Sequence, residues 1–425
     1  MTKLTLQEQL IADRRHLHAH PEEGWCEFET TWFIVQRLKA LGLEWKAGID
    51  VIEPSAVMGR NADLVEKAKK RAREHGVPAD FLGHLGGYTG AMAVLNTGRP
   101  GPVTGIRVDI DCLPIEESND PAHEANAGNY RSVYPGFSHA CGHDGHTAVG
   151  LAAARWLSEN REKLCGTVKI LFQPAEEGVR GAAAMAAKGI VDDVNWFAGA
   201  HIGCSARLGQ VGVSHFGYLA TTKFDLRYHG LAAAAGSPEK GRSALMCGAA
   251  TCMSLGSLPG HSQGITRVQI GRFESGTGRN IIAENAFMQL EVRGESTEIN
   301  DYMAANVEMT VKGLAVAYGV DYELTRMGEA VTYRGDEEAV SIVKEVAAQV
   351  PGVDSVVDMN AKIGSEDCTM LIRRVQEHGG KAVFFYYGCN HPGHHRGDFC
   401  IQDETSLPIG FGCFVGFIQR INGVK

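Results

Sequence analysis

Apolar residues recur every three to four positions in LQEQLIADRRHLHAH and again in EFETTWFIVQRLKALG, with a Pro-Glu-Glu-Gly break at 21–24. This spacing predicts a helix pair over 5–42 that stops at Gly42. A charged stretch from Glu53 to His84 follows; its middle has the pattern of a surface helix, and the whole reads as an insertion covering something. GAMAVLNTG and PVTGIRVDID are short β-rich runs, HTAVGLAAARWLSEN (146–160) has helical spacing, and GTVKILFQP (166–174) reads as a buried strand. Such alternation is that of an α/β fold.

The texture changes after about His201. GQVGVSHFGYLATTKFDLRYHG alternates like a half-exposed antiparallel sheet; a helix-like SALMCGAATCMSLGSL follows, then two alternating runs, a helix at about 297–317 and VDYELTRMG. This order predicts an open-faced sandwich with two helices on one sheet face. From about Thr332 the chain returns to helix and buried strand, ending in KAVFFYYG and its sequel. The expected architecture is a large α/β domain (1–210 and 329–425) interrupted by a small α+β domain (211–328).

Composition narrows the function. The 425 residues include 44% hydrophobic and 21% charged positions, a globular balance. With 41 basic against 50 acidic residues, net charge -9 and no basic stripe, nucleic acid is excluded as an expected partner. The start MTKLTLQEQLIADRR lacks a signal-peptide apolar core, and no run of 18 apolar residues occurs, so no membrane association and a cytoplasmic location are expected. Eleven cysteines without regular spacing suit a reducing compartment.

Chemistry concentrates in four places. SHACGHDGHTA (138–148) holds Cys141 and His143 two residues apart, expected to turn toward one point from an irregular loop; thiolate and imidazole suit borderline metals, while a histidine-rich helix start is the other reading. ILFQPAEEG places Glu176 and Glu177 side by side at a strand end, where they repel unless a cation holds one. One carboxylate then ligates while the other takes a proton from water and returns it to a leaving amine. His201 ends an apolar run, and NHPGHHRGDF adds three histidines after a buried strand. Singly each is weak; together they are expected to converge at one edge of a parallel sheet.

HACGHDGHTA, FQPAEEG, AHIG, SGTGRNII, GSED and the late GHH, in this order, resemble the amidohydrolase branch of the aminoacylase and carboxypeptidase-G-like metallopeptidases, which includes hippurate hydrolase and plant indole-acetyl-amino-acid hydrolases. The resemblance implies two divalent metal ions, Mn or Zn, with Cys141 shared and His143, Glu177, His201 and His395 completing the shells. His395 is preferred over His394 for its spacing to Phe399. It further implies Glu176 as general acid/base, and Arg279 and Asn280 of SGTGRN as binders of the substrate carboxylate, Arg279 by a bidentate pair, with a surface turn as the other reading. Asp109 and Asp111 are read as supports for the histidines, or as plain structural carboxylates. The implied substrate is a small N-acyl amino acid of the p-aminobenzoyl-glutamate or indole-3-acetyl-aspartate type. The implied assembly is a homodimer, or a heterodimer with a homologous chain.

One residue breaks the pattern. The family's small domain carries Gly-x-Ala-x-His-Ala before a proline, its histidine steadying the oxyanion across a dimer; here the segment reads GLAAAAGSP, with Ala234 at the histidine's place. A methyl group cannot donate to an oxyanion, so this chain is expected to turn over slowly. An engineered replacement is favoured, because the other motifs are complete; natural loss giving an inactive, metal-bearing partner chain is the alternative. Two further readings are a hydrolase of other N-acyl amino acids or dipeptides, and a protein with one closed structural zinc.

Overall fold

The computed structural model describes residues 4–359 and 364–424. They form two compact units: the first runs to Gly217, resumes at Tyr333 and again from Asp367, and the second is Tyr218–Thr332 with a short return that ends at Glu366. Strands and helices are numbered along the chain.

In the first unit, α1 (Leu6–Ala19) starts at a reciprocal cap between Thr5 and Glu8, and α2 (Phe28–Ala40) gives way to Gly42 at φ +67°. After β1 (Glu44–Ala47), the charged stretch contains α3 (Ala62–Glu74) and α4 (Ala79–His84). Then come β2 (Ala91–Asn96), β3 (Val103–Asp109), α5 (Glu124–Ala127), α6 (His143–Glu159), β4 (Thr167–Gln173), α7 (Ala182–Ala187), β5 (Trp196–Ile202), β6 (Gln210–Val213) and β7 (Phe216–Gly217).

The second unit holds β8 (Ala220–His229), β9 (Ala233–Ala234), α8 (Ala244–Gly256), β10 (Thr266–Ser275), β11 (Ile281–Ile282), β12 (Asn285–Gly294), α9 (Thr297–Tyr318) and β13 (Asp321–Ala330). Its sheet has the order β10-β12-β8-β13. Alternation along β8 sends Phe224, Leu226 and Tyr228 into a core with Met303, Val307 and Val311 of α9 and Cys247 of α8, and leaves Lys223, Asp225 and Arg227 outside that core. This is the sandwich the sequence predicts.

Back in the first unit are β14 (Tyr333–Arg334), α10 (Glu337–Ala347), β15 (Ser355–Asp358), α11 (Cys368–Glu377), β16 (Lys381–Tyr387) and α12 (Asp403–Asn422). The eight-stranded sheet runs β1-β2-β4-β3-β5-β16-β6-β15. Its central β4, β3, β5 and β16 are adjacent and parallel, so their C-terminal ends open at one edge. Two expectations shift. QVGV is β6, parallel to β15 and antiparallel to β16, so the small unit begins at Tyr218 and not at 211. α6 begins at His143, three residues before the expected start, which places His143 in a helical first turn and not in an irregular loop.

Candidate active site

Three of the four parallel strand ends carry polar groups, and the fourth leads to them. β3 runs out into Asp109 and Asp111, β4 into the Pro174–Gly178 loop, and β5 carries His201 one residue from its end; β16 leads to His391, His394 and His395. Cys141 and His143 arrive from the opposite chain direction, at the start of α6. Gly142 takes φ +90°, and a Cβ there would lie 2.5 Å from Ile202 Cγ2, so only glycine lets the helix start pack against the end of β5.

The predicted ligands of this unit are brought together. Ligand atoms of Cys141, His143 and His201 lie within 4.8 Å of one another, as do those of Cys141, Glu177 and His395, and those of His143, Glu176 and Glu177. Cys141 is thus common to two groups, and all of them but His395 and Glu177 are buried. Arg279 and Asn280 are exposed and belong to the second unit, where Asn280 O accepts from Ala235 N–H at 2.9 Å and Ala234 pairs with Ile281 in the small β9-β11 ladder. Ala234 and the SGTGRN turn are therefore neighbours.

Hydrogen bonds fix which ring nitrogen each histidine offers. His201 Nδ1 lies 2.7 Å from Ile202 O, which only accepts, so Nε2 turns its lone pair toward Cys141 Sγ at 3.4 Å. His143 Nδ1 faces Asp111 Oδ1 at 3.3 Å, while its buried Nε2 has no hydrogen-bond partner and stands 3.8 Å from Glu176 Oε2. A carboxylate behind one nitrogen and an open second nitrogen is the arrangement of a metal-binding imidazole. His146 differs: Ile202 N–H donates to its Nε2 at 2.8 Å and its Nδ1 faces Asp109 Oδ1 at 2.5 Å, so it is a strut that holds the end of β5. His394 accepts from Cys204 N–H at 2.9 Å through Nε2, which leaves its Nδ1–H facing Cys141 Sγ at 3.4 Å. His395, at φ +60° and half exposed, puts Nε2 3.4 Å from Glu177 Oε1.

Electrostatics point the same way. Burial, with Glu177 beside it, pushes the Cys141 thiol well above its ordinary range. Burial opposes charge on His143, but Asp109 and Cys141 outweigh it and hold the imidazole well above its usual value. Asp109 is held well below the usual carboxylate range because His143, His146 and Arg107 overcome the burial penalty. Two glutamates, two aspartates and a thiol around the buried His143 call for positive charge, and this mixture of S, N and O donors fits a divalent cation.

The groups that hold the glutamate loop go beyond the sequence reading, which took Asp111 as a support for the histidines or a plain structural carboxylate and did not connect it to the glutamates. Asp111 also accepts from Glu176 N–H at 3.1 Å and Glu177 N–H at 2.9 Å. Glu27 Oε1, its carboxyl pushed up to about 8 by burial and by Asp111, accepts from Ala175 N–H at 2.8 Å. Asp367 Oδ2 accepts from Gly181 and Ala182 N–H at 3.0 and 2.9 Å, and its Oδ1 faces the fully buried Arg107 at 3.2 Å. Only GSED hinted at Asp367; Glu27 sits within a helical amphipathic pattern with no local mark.

The model of peptidase family M20/M25/M40 matches residues 105–420. A homolog, in Haemophilus influenzae, of one of the subunits of p-aminobenzoyl-glutamate hydrolase is 42% identical over 416 residues, covering 97% of this chain and 98% of that protein. The indole-3-acetyl-aspartic acid hydrolase of Enterobacter agglomerans is 41% identical, covering 93% and 92%. Among solved structures, the aminobenzoyl-glutamate utilization protein of Klebsiella pneumoniae aligns with a TM-score of 0.82 at 36% identity, covering 97% of this chain and 96% of that one. A dinuclear metal binding peptidase of Bacillus subtilis, 24% identical with a TM-score of 0.67 and 97% of each chain covered, shares the fold. Matched by the family's model over 105–420 and aligned over nearly its whole length with a 42% identical relative, the chain belongs to peptidase family M20/M25/M40.

Proposed function

We propose that this chain is built to hydrolyse the amide of N-aroyl or N-arylacetyl amino acids, acidic ones foremost. The observation that carries the reading is Glu176, 3.8 Å from the open Nε2 of His143 and flanked by the convergent Cys141, Glu177, His201 and His395. Two relatives named above carry p-aminobenzoyl-glutamate and indole-3-acetyl-aspartic acid in their names, molecules that share a flat aryl acyl group and a dicarboxylic amino acid.

Cys141, His143, Glu177, His201 and His395 would hold a pair of divalent cations, Mn or Zn, with Cys141 common to both. Bound there, the cations supply Lewis-acid polarisation of the scissile carbonyl and acidify water. Glu176 takes a proton from the attacking water and delivers it to the departing amine. His394 is set apart from His395 because its lone pair is engaged by Cys204 N–H and its Nδ1–H faces the sulfur. Arg279 and Asn280 engage the substrate carboxylate. Ala234 leaves the oxyanion without its expected donor, so turnover is slow. The chain works as a dimer, with itself or a homologous chain; the relative named for one component of a multi-chain hydrolase supports this.

The test is hydrolysis of p-aminobenzoyl-glutamate and indole-3-acetyl-aspartate by manganese-loaded protein, as it stands and as Ala234→His. Restoring one oxyanion donor should raise the rate about a hundred- to a thousandfold. If both forms are inert on these and other acyl amino acids, the chain is a cation-bearing, non-catalytic partner.

A further inference from the structure

The loop that carries both glutamates is held in an uncomfortable backbone. Ala175 and Val179 have φ +52° and +59°, and Gly178 between them +86°. A β-branched residue in the left-handed region is a genuine outlier, and such a conformation persists only where the surroundings over-determine it. Three buried carboxylates, Glu27, Asp111 and Asp367, take backbone N–H groups of 175–177 and 181–182. They anchor donors only. The carbonyl of Glu177 needs a donor from elsewhere.

Arg180 provides it. Its Nε donates to Glu177 O at 2.8 Å and its Nη1 to Gly59 O at 3.1 Å, while its own backbone N–H donates to Ala175 O at 3.1 Å. Gly59 lies in the segment that opens the charged stretch. That segment is fastened in two more places: Trp25 Nε1 donates to Met58 O at 2.8 Å, and Glu53 N–H donates to Ala184 O at 3.0 Å. On the remaining side is Gly24, where a Cβ would overlap Arg180 Nη2 and approach Ala175 Cα to 2.9 Å. The guanidinium thus joins two stretches of chain that are remote in sequence, its own loop and the segment at Gly59, and its planar fork reaches two carbonyls at once, which a lysine cannot reproduce.

We propose that Arg180 is a positioning residue for Glu177 and Glu176, and that segment 53–60 is the brace against which it sets their loop. The insertion is then part of the catalytic apparatus and not a surface addition. This rests on the proposed reading of Glu177 as a cation ligand. Without the fork, the Glu177 carbonyl and the Gly59 carbonyl lose their common donor, the loop relaxes, and the carboxylate no longer stands ready beside Cys141. Arg180 does not touch substrate, so the loss falls on cation affinity and kcat and leaves KM in place.

The experiment is Mn2+ affinity of the full chain by competition with a chelator, without substrate, for the parent, Arg180→Ala, Arg180→Lys, Gly24→Ala and Arg374→Gln. Arg374 makes an equally well-formed pair with Asp192, at 2.7 and 2.6 Å, outside this loop. Arg180→Ala should weaken Mn2+ about tenfold or more, the scale of lost ligand support, with Arg180→Lys close to it. Gly24→Ala, which crowds the fork and Ala175 together while keeping the guanidinium, should move affinity the same way, and Arg374→Gln should match the parent. Where the chain turns over either substrate, kcat should fall with KM within about twofold. Parent-like affinity in Arg180→Ala, equal loss in Arg374→Gln, or a rise in KM at constant kcat overturns the proposal. If Arg180→Ala does not fold, Gly24→Ala and Arg180→Lys decide it by the same readings. A parent that binds no Mn2+ or Zn2+ sinks the metal reading itself, whereas a parent that binds and variants that bind equally sink only this inference.

Discussion

The glutamate loop of the first unit and the alanine segment of the second supply opposite halves of the proposed chemistry, and they are built in opposite ways. Around Glu176 five backbone donors, those of Ala175, Glu176, Glu177, Gly181 and Ala182, end on buried carboxyl groups, and His146 and His201 have their tautomers set by backbone neighbours. Around Ala234 there is a two-residue ladder, exposed side chains and a turn secured by backbone hydrogen bonds. The groups proposed to hold cations and move protons are fixed in advance by buried partners; those proposed to meet the substrate are left in the open. Preorganisation is concentrated where charge must be handled in a low-dielectric interior.

The largest effect that would break this comparison is at its rigid pole. Glu176→Gln should lower kcat by about two to four orders of magnitude while cation content stays at the parent value, checked by turnover and metal analysis together. Next comes the open pole, where Ala234→His should raise the rate about a hundred- to a thousandfold without altering cation affinity. If instead it changed affinity, the two halves would not be separable as described. Asp111→Asn replaces one of two acceptors for Glu176 and Glu177 N–H by a donor, and should cost about ten- to a hundredfold in Mn2+ affinity by chelator competition.

The smallest effect concerns pH. His18, buried, donates from Nδ1 to Asp144 Oδ2 and from Nε2 to Glu117 Oε1, each at 2.7 Å, beside Arg14 and His123. Burial opposes both charges, yet hydrogen bonds from His123 and His18 hold Glu117 well below the carboxylate range, and Asp144 and Glu117 hold His18 above its ordinary value despite Arg14. The Glu117 contribution is complete above the unfolded value of about 4.3 and is lost as pH falls through the lowered one; that of His18 is complete below about 6.5 and is lost as pH rises through the raised one. Both act together between about pH 4.5 and 6.5. Protection of α1 amides, relative to their intrinsic exchange rates, should peak in that window, and Glu117→Gln should flatten the dependence; equal pH dependence in β8 and β12, whose core is apolar, would remove the contrast between the units.

Much of this could be read from the sequence where the signal is local. Alternation marked β8, β10 and β12, and two short motifs placed Cys141 two residues from His143 and Glu176 next to Glu177. What escaped was set by partners far along the chain. His143 and His146 look equivalent in HACGHDGHTA, and only Asp111, Asp109 and the Ile202 amide separate an open imidazole from a locked one. Arg180 reads as a charge beside a glycine until Gly59 is brought to it. β6 has the alternation of the small sheet, yet β16 and β15 claim it for the large one.

The short ladder between β7 and β14 has a wider meaning. Phe216 pairs with Arg334 and Gly217 with Tyr333, so the chain leaves the first unit and re-enters it on two strands lying side by side. Adjacent antiparallel strands need only a two-residue hairpin to be joined. Tyr218–Thr332, all of the second unit except the short return that ends at Glu366, thus occupies the place of a hairpin turn, and the order of the eight-stranded sheet does not depend on its length.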